Sequence, residues 1–300
     1  SLGGGLRSQY IAAHPEWMEK HRGGQADGTR VSFAIPEYRA ERIAVLLEAA
    51  QIGAHGLCLD FCRQPPIARY HSLILDPWLK TGRDDPRKMT VGSPEFLAWA
   101  QHRADFVNLF MRDLRDQLRK LEKNTQRKVP VMVRIPEATL ALNLMEGLDL
   151  RTWLKENWVD EITLNPLWIW DIDYPDTARP YLELARAHGA KVYGGANTVT
   201  GKGVTANARS FLERVARNYD EGADGIALFQ TDAALLDPAL KALFRPVFPH
   251  LADASVVSEM LSVVRMKKPQ MSESERYFGL DNHSLLPQLG RAPRLSIDTL

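Results

Sequence analysis

Short stretches in which apolar and polar residues alternate recur along the chain, and residues with helical periodicity separate them. The alternating stretches are residues 56–61, 129–135, 159–165, 191–197 and 222–230. Apolar residues at helical spacing predict helices that begin at Pro36 and Ser93, and further helices over residues 150–156, 178–188, 205–219 and 238–244. Strands that alternate with helices, without hairpin signals, predict a parallel sheet of the α/β class.

Three regions lack this pattern. Residues 6–34 predict irregular structure, and residues 62–92 predict one long loop. Loops of that length usually form lids or bind ligands, and a plain insertion is the alternative. Residues 251–300 hold one amphipathic stretch, residues 255–264, followed by a polar tail. We therefore expect a barrel-type domain over residues 1–250 and a C-terminal extension over residues 251–300.

The first alternating stretch predicts a carboxylate at the C-terminal end of a strand. Leu57, Leu59 and Phe61 point to one side of this strand, and Cys58 and Asp60 point to the other. In a barrel of parallel strands the first set would pack against helices, and the second would face the barrel axis. Asp60 would then stand at the mouth, where such barrels keep their chemistry.

Polar residues also stand at or just beyond the ends of the other predicted strands. Arg63 follows Asp60 by three residues and would keep that carboxyl group ionised, with a buried structural salt bridge as the alternative. Glu137 comes directly after the strand that carries Arg134, where it is either a mouth residue or a solvated loop residue. The strand-end residues that we predict to contact a substrate are Arg63, Arg134, Asn165, Asn197 and Gln230.

The stretch that follows Asn165 combines aromatic and acidic residues. Trp168 and Trp170 alternate with Asp171 and Asp173 in a predicted loop beyond the third strand. Aromatic faces in a mouth loop suit the C–H faces of sugar rings, and the carboxylates suit the hydroxyl groups. We predict that these four residues bind a carbohydrate, and the alternative is that the aromatic rings fill a neighbouring core.

Composition excludes several classes of function. The chain has 300 residues, of which 45% are hydrophobic and 25% are charged, and its net charge is +1. This balance is typical of a globular protein and gives no reason to expect a nucleic-acid or acidic-membrane partner. No stretch approaches the roughly 20 apolar residues of a membrane span. The oligomeric state does not follow from the sequence.

Neither a metal site nor a cofactor is predicted. The two cysteines, Cys58 and Cys62, lie near His55 at one strand end, but their spacing matches no zinc pattern and a fourth ligand is missing. Residues 1–5 include no initiator methionine and no signal peptide, so they resemble a cut end. The compartment therefore stays open between cytoplasmic and extracytoplasmic.

The run Leu59-Asp60-Phe61-Cys62-Arg63-Gln64-Pro65-Pro66 resembles the LDF-x-R-x-P signature of bacterial glycosyl-hydrolase-like family 10 proteins. The similarity covers roughly residues 10–250. Its further matches are His14-Pro15-Glu16-Trp17, Pro36-Glu37 with Arg39, Arg134-Ile135-Pro136, Gly147-Leu148-Asp149 to Trp153, Val159-Asp160 and Gly222-Ala223-Asp224-Gly225. The resemblance implies a (β/α)8 TIM barrel with predicted glycosidase activity. The Asp60 strand would be the fourth of that barrel, so this chain would supply strands four to eight of a domain truncated at its N-terminus.

Glycoside hydrolysis usually needs two carboxyl groups that flank the scissile bond. Asp60 resembles the nucleophile of α-amylase-type barrels, and Glu137 lies just past the tip of the next strand, where those barrels keep their acid. Adjacent strands are about 4.8 Å apart, so both groups could reach one bond. Asp171 and Asp173 are alternative acids. At Glu137 the chain departs from the family, in which a small polar residue is expected.

Two other functions remain open. One is a carbohydrate-binding barrel that lacks the second catalytic carboxylate. The other is a phosphate-binding barrel enzyme that uses Gly194 and Gly195, since such barrels bind phosphate in the loops after their last two strands. The acidic run Gln230-Thr231-Asp232 disfavours phosphate, because it lacks the glycine-rich turn that anion binding favours.

Overall fold

The computed structural model describes residues 12–62, 66–165, 178–197, 208–229 and 244–266, with isolated positions between 231 and 241. The strands are β1 (Met18–Lys20), β2 (Ala26–Val31), β3 (Leu57–Asp60), β4 (Val131–Pro136), β5 (Glu161–Asn165), β6 (Lys191–Asn197) and β7 (Gly225–Phe229). The helices are α1 (Pro36–Gln51), α2 (Ser72–Lys80), α3 (Pro94–Thr125), α4 (Leu140–Met145), α5 (Leu150–Lys155), α6 (Arg179–Arg186), α7 (Ala208–Asp220) and α8 (Ala254–Met266).

The five predicted strands form one parallel sheet in the order β3-β4-β5-β6-β7. The register of β3 and β4 pairs Leu57 with Val131 and Asp60 with Arg134. This confirms the α/β class and the five parallel strands. Strands β3 and β7 stand at the two ends of the order. Closure into an eight-stranded barrel stays a prediction.

Local sequence signals account for the major helices. Pro36 is the first residue of α1, a position where its missing N–H costs nothing. The Ser93 hydroxyl accepts a hydrogen bond from the Phe96 N–H at 3.2 Å and caps α3. The predicted apolar stripe of α3 is largely buried, including Trp99, Val107 and Leu118. The predicted helix over 238–244 lies largely outside the described residues.

Two regions that lacked a pattern are ordered, so those predictions are wrong. Strands β1 and β2 form an antiparallel hairpin within residues 6–34. The hairpin escaped detection because its first strand has three residues and its register is irregular, which destroys the alternation. Helix α2 lies within the predicted loop 62–92, and Pro77 inside it interrupts the helical pattern. Helix α4 was also not predicted.

The chain divides into two compact units. The first unit comprises residues 1–134 and 139–161, and the second comprises residues 135–138 and 162–300. Helix α8 coincides with the amphipathic stretch predicted over residues 255–264, and it packs into the core of the second unit against α7. The predicted boundary at residue 250 therefore precedes a helix that shares this core.

Within the described part of the chain, every helix is too short or too polar to cross a membrane. The same residues include no group of three or more histidine, cysteine, aspartate or glutamate side chains arranged to hold a metal ion.

Candidate functional site

Asp60 is the last residue of β3, and both of its carboxylate oxygens are hydrogen-bonded. Arg134 Nη1 donates to Oδ2 at 2.7 Å, and the Cys62 N–H donates to Oδ1 at 3.0 Å. The Asp60 side chain is 44% exposed, whereas that of Arg134 is 11% exposed. Asp60 is thus an accessible carboxylate whose orientation is fixed by hydrogen bonds to both of its oxygens.

The alternation of β3 explains how the sequence presents this carboxylate. Leu57, Leu59 and Phe61 are buried, and Cys58 and Asp60 are exposed on the other side, as predicted. The strand ends at Asp60, so the buried Cys62 does not follow the alternation. Burial and the Asp60 carboxylate raise the pKa of the Cys58 thiol, and Arg134 acts in the opposite direction. Cys58 is therefore a poor nucleophile near neutral pH.

Glu137 belongs to the second unit and is almost completely buried. Its side chain is 3% exposed and forms an ion pair with Arg214 of α7. The Glu137 N–H donates to the Asn165 carbonyl at 2.9 Å, and Arg214 Nε donates to the Gly195 carbonyl at 2.7 Å. The pair therefore joins the ends of β4, β5 and β6. A guanidinium in contact with a carboxylate favours the charged form, which opposes the release of a proton by Glu137 as an acid.

Sequence reasoning missed two residues that support Glu137. One is Arg214 of α7, because an arginine on an amphipathic helix is usually a surface residue. The other is Tyr181 of α6, which is buried and whose hydroxyl donates to the Ala138 carbonyl and accepts from the Ala138 N–H at 3.2 Å. Tyr181 fixes the backbone just beyond β4, and Arg214 pairs with the Glu137 side chain. No local sequence motif indicates either contact.

The structure describes only some of the other residues that were predicted to contact a substrate. Asn165 is buried at the end of β5, and Asn197 is the last residue of β6. The predicted substrate-binding residues that lie outside the described residues are Arg63, Trp168, Trp170, Asp171, Asp173 and Gln230. The carbohydrate platform after β5, and the alternative acids within it, stay predictions.

A pocket of about 210 Å³ in the first unit is lined by leucine side chains of α3, α4 and α5, and Asp60 is not among its lining residues. Its carboxylate, Asp149, caps α5 by accepting from the Thr152 N–H at 3.2 Å, and it accepts from Gln101 at 2.8 Å and Asn108 at 3.1 Å. Burial alone would raise the pKa of Asp149, but the hydrogen bonds from Thr152, Gln101 and Asn108 lower it. Asp149 therefore has a structural role.

Gly194 has a structural explanation that does not involve a ligand. A Cβ atom at this position would lie 2.3 Å from Cγ of Asn218, a buried residue of α7. Asn218 Nδ2 also donates to the Gly195 carbonyl at 3.3 Å. The glycine makes room for this asparagine, so its presence gives no support to a phosphate site.

We expect Gly194→Ala to lower the free energy of unfolding by about 1–3 kcal/mol, because the added methyl group must displace a buried, hydrogen-bonded side chain. Urea unfolding followed by far-UV circular dichroism measures the change. Gly28→Ala is the matched control, since a Cβ atom at Gly28 meets nothing within 4 Å. Equal stability of the two variants would contradict the packing explanation.

The fold and site together define an α/β protein with an accessible carboxylate–arginine pair at the C-terminal end of parallel strands. No protein-family model matches the chain. No curated protein matches it either. The fold and the described side chains therefore carry the functional argument.

Proposed function

We propose that this chain is a glycoside hydrolase of the (β/α)8-barrel type, related to the bacterial glycosyl-hydrolase-like family 10 proteins, and that Asp60 is its catalytic carboxylate. The observation that carries the proposal is the geometry of Asp60, which is accessible, oriented through both oxygens and paired with Arg134. Barrel enzymes keep their reacting groups at this end of the strands.

In this proposal Asp60 acts in its ionised form. An oxocarbenium-like transition state carries positive charge at the anomeric carbon, and a fixed carboxylate stabilises that charge or attacks the carbon directly. Arg134 fixes the direction of the Asp60 carboxylate, so less reorganisation is needed as charge develops. No nucleotide or metal is required for this chemistry.

Three residues are candidates for the second carboxyl group: Glu137, Asp171 and Asp173. Glu137 stands just beyond β4, but its ion pair with Arg214 disfavours the neutral form that a proton donor needs. Glu137 can serve as the acid only if substrate binding separates it from Arg214. Asp171 and Asp173 remain the alternative acids.

The pairing of Glu137 also favours a second candidate, a barrel that binds carbohydrate without hydrolysing it. In that case Asp60 and Arg134 would bind sugar hydroxyl groups, and Glu137 with Arg214 would only connect strand ends. The two candidates differ in turnover and share the binding surface, so activity is the property that separates them.

A panel of aryl glycosides and of oligosaccharides labelled at the reducing end tests the proposal. We expect the chain to release aglycone or shortened oligosaccharide from at least one member of the panel. Binding of a panel member without any product would favour the non-catalytic carbohydrate-binding barrel over the hydrolase. Absence of both binding and product would refute the carbohydrate proposal.

A further inference from the structure

Segment 66–70 of the first unit is held by three arginine side chains, two of them half-buried and one buried. Arg30 of β2 donates from Nη1 to the Pro66 carbonyl, and Arg69 donates from Nε to the same carbonyl at 3.2 Å. Arg69 also forms an ion pair with Asp27 at 2.9 Å. A single backbone carbonyl thus accepts hydrogen bonds from two guanidinium groups, which fixes the start of the segment.

The third arginine, Arg103 of α3, is 2% exposed. Its guanidinium donates to the Ala68 carbonyl at 3.2 Å and to the Met145 carbonyl at 2.7 Å. Its charge also lies 5.8 Å from the ring centres of both Tyr70 and Trp99. Arg103 therefore joins segment 66–70 to the end of α4 through backbone acceptors and aromatic faces.

The half-buried side chain of Glu146, whose Oε2 atom is buried, completes this cluster. The Glu146 carbonyl accepts from the Ile67 N–H at 2.7 Å. Among the described residues, neither Glu146 Oε2 nor Arg103 Nε has a hydrogen-bond partner, although both atoms are buried. A buried carboxylate without a hydrogen bond is costly. The neutral carboxyl group is less costly, so the cluster favours a proton on Glu146.

Three arginines, one each from α3, segment 66–70 and β2, act electrostatically on Glu146. Burial raises the pKa of Glu146 to about 7, and the charges of Arg103, Arg69 and Arg30 act against this rise. Glu19 of β1 is a second buried carboxyl group near Arg30 and Arg103, and burial raises its pKa as well. Its Oε1 accepts from the Ser32 hydroxyl at 2.7 Å, whereas its Oε2, like Glu146 Oε2, has no hydrogen-bond partner among the described residues.

We propose that Glu146 is a proton-controlled clamp on segment 66–70: the protonated side chain keeps the segment closed on Arg30 and Arg103, and loss of the proton to solvent favours local opening. This regulation goes beyond the proposed hydrolase and does not depend on it. The segment lies four residues after Cys62, whose N–H orients Asp60. Protonation near neutral pH would thus control the chain beside the candidate site.

The direction of the pH effect follows from the raised pKa. In the closed state Glu146 holds its proton up to about pH 7, whereas an open, hydrated glutamate loses it near its ordinary value. The closed state is therefore most favoured at acidic pH, and the advantage is lost as the pH rises to about 7. Above pH 7 both states are ionised and the equilibrium stops changing.

Amide hydrogen exchange measured from pH 5 to pH 8, corrected for intrinsic rates, tests the clamp in the full chain. We expect the protection factors of Ile67 and Tyr70 to fall by up to about 100-fold between pH 5 and pH 7 and then to level off. Glu146→Gln should remove this pH dependence. Glu156→Gln, at an exposed glutamate, is the matched control and should behave as the wild type does.

Two outcomes would overturn the proposal. One is an unchanged pH dependence in Glu146→Gln. The other is its loss in Glu19→Gln, which would assign the proton to Glu19. Carboxyl ¹³C NMR titration of the wild-type chain provides a test that needs no variant. A Glu146 midpoint near pH 7 supports the clamp, whereas a midpoint below pH 5 refutes it.

Discussion

The Asp60→Asn variant is expected to lose glycosidase activity by about a thousandfold or more in kcat while remaining folded. An amide has no negative charge to stabilise the transition state and is a poor nucleophile, and loss of a nucleophile typically costs several orders of magnitude. The fold should survive because the asparagine oxygen can still accept from the Cys62 N–H, and because the side chain is 44% exposed. Initial rates on the best substrate of the glycoside panel measure the loss.

Asp113→Asn is the matched control for this variant. Asp113 also pairs with an arginine, Arg112, at 2.8 Å, but it lies on the exposed side of α3. Its loss should leave kcat unchanged, because exposed ion pairs contribute little. Retention of wild-type rates by Asp60→Asn would remove Asp60 from the mechanism, and equal losses in both variants would indicate a general defect.

Glu137→Gln is expected to lower the free energy of unfolding by about 3 kcal/mol. The substitution leaves the Arg214 guanidinium without its buried counter-charge, and breaking a buried ion pair from one side is costly. Denaturant unfolding measures this effect. Glu213→Gln is the control, because Glu213 forms an exposed pair with Arg209 on the same helix and should cost less than about 1 kcal/mol. Equal stability of the two variants would contradict the structural role of Glu137.

The same variant distinguishes an acid from a structural residue. If Glu137 donates the proton, Glu137→Gln should retain rates on dinitrophenyl glycosides, whose leaving group needs no proton, and lose them on alkyl glycosides. If Glu137 is only structural, the two substrates should lose rate in equal proportion. Equal proportions would move the acid role to Asp171 or Asp173.

Much of the fold was predictable because its signals are local. Alternation in β3 required only that every second residue be apolar, and Pro36 and Ser93 marked helix starts through backbone chemistry that acts within one turn. The candidate carboxylate was predictable for the same reason, since Asp60 ends an alternating stretch. Arg63 was the predicted partner of Asp60 and lies outside the described residues. The partner that the structure shows is Arg134 of the neighbouring strand, because parallel strands place their C-terminal ends side by side.

The partners of the other charges were not predictable, because they depend on contacts between distant residues. Arg214 follows Glu137 by 77 positions. Arg103 lies 42 positions before the Met145 carbonyl that it binds. Arg30, one of the charges that act on Glu146, lies in a hairpin within a region that had been expected to be irregular. Long-range ion pairs and buried carboxyl groups therefore emerged only from the fold.

Amide NMR mapping of a saccharide titration tests most directly whether carbohydrate binds at Asp60. The Cys62 amide donates to the Asp60 carboxylate, and the Phe61 amide donates to the Arg134 carbonyl at 2.9 Å, so both report on the pair. We expect the saccharide to shift these two amide signals in the wild type and to leave them unshifted in Asp60→Asn. Binding that shifts neither signal, or that shifts only residues around Gln101 and Asp149, would contradict a carbohydrate site at Asp60.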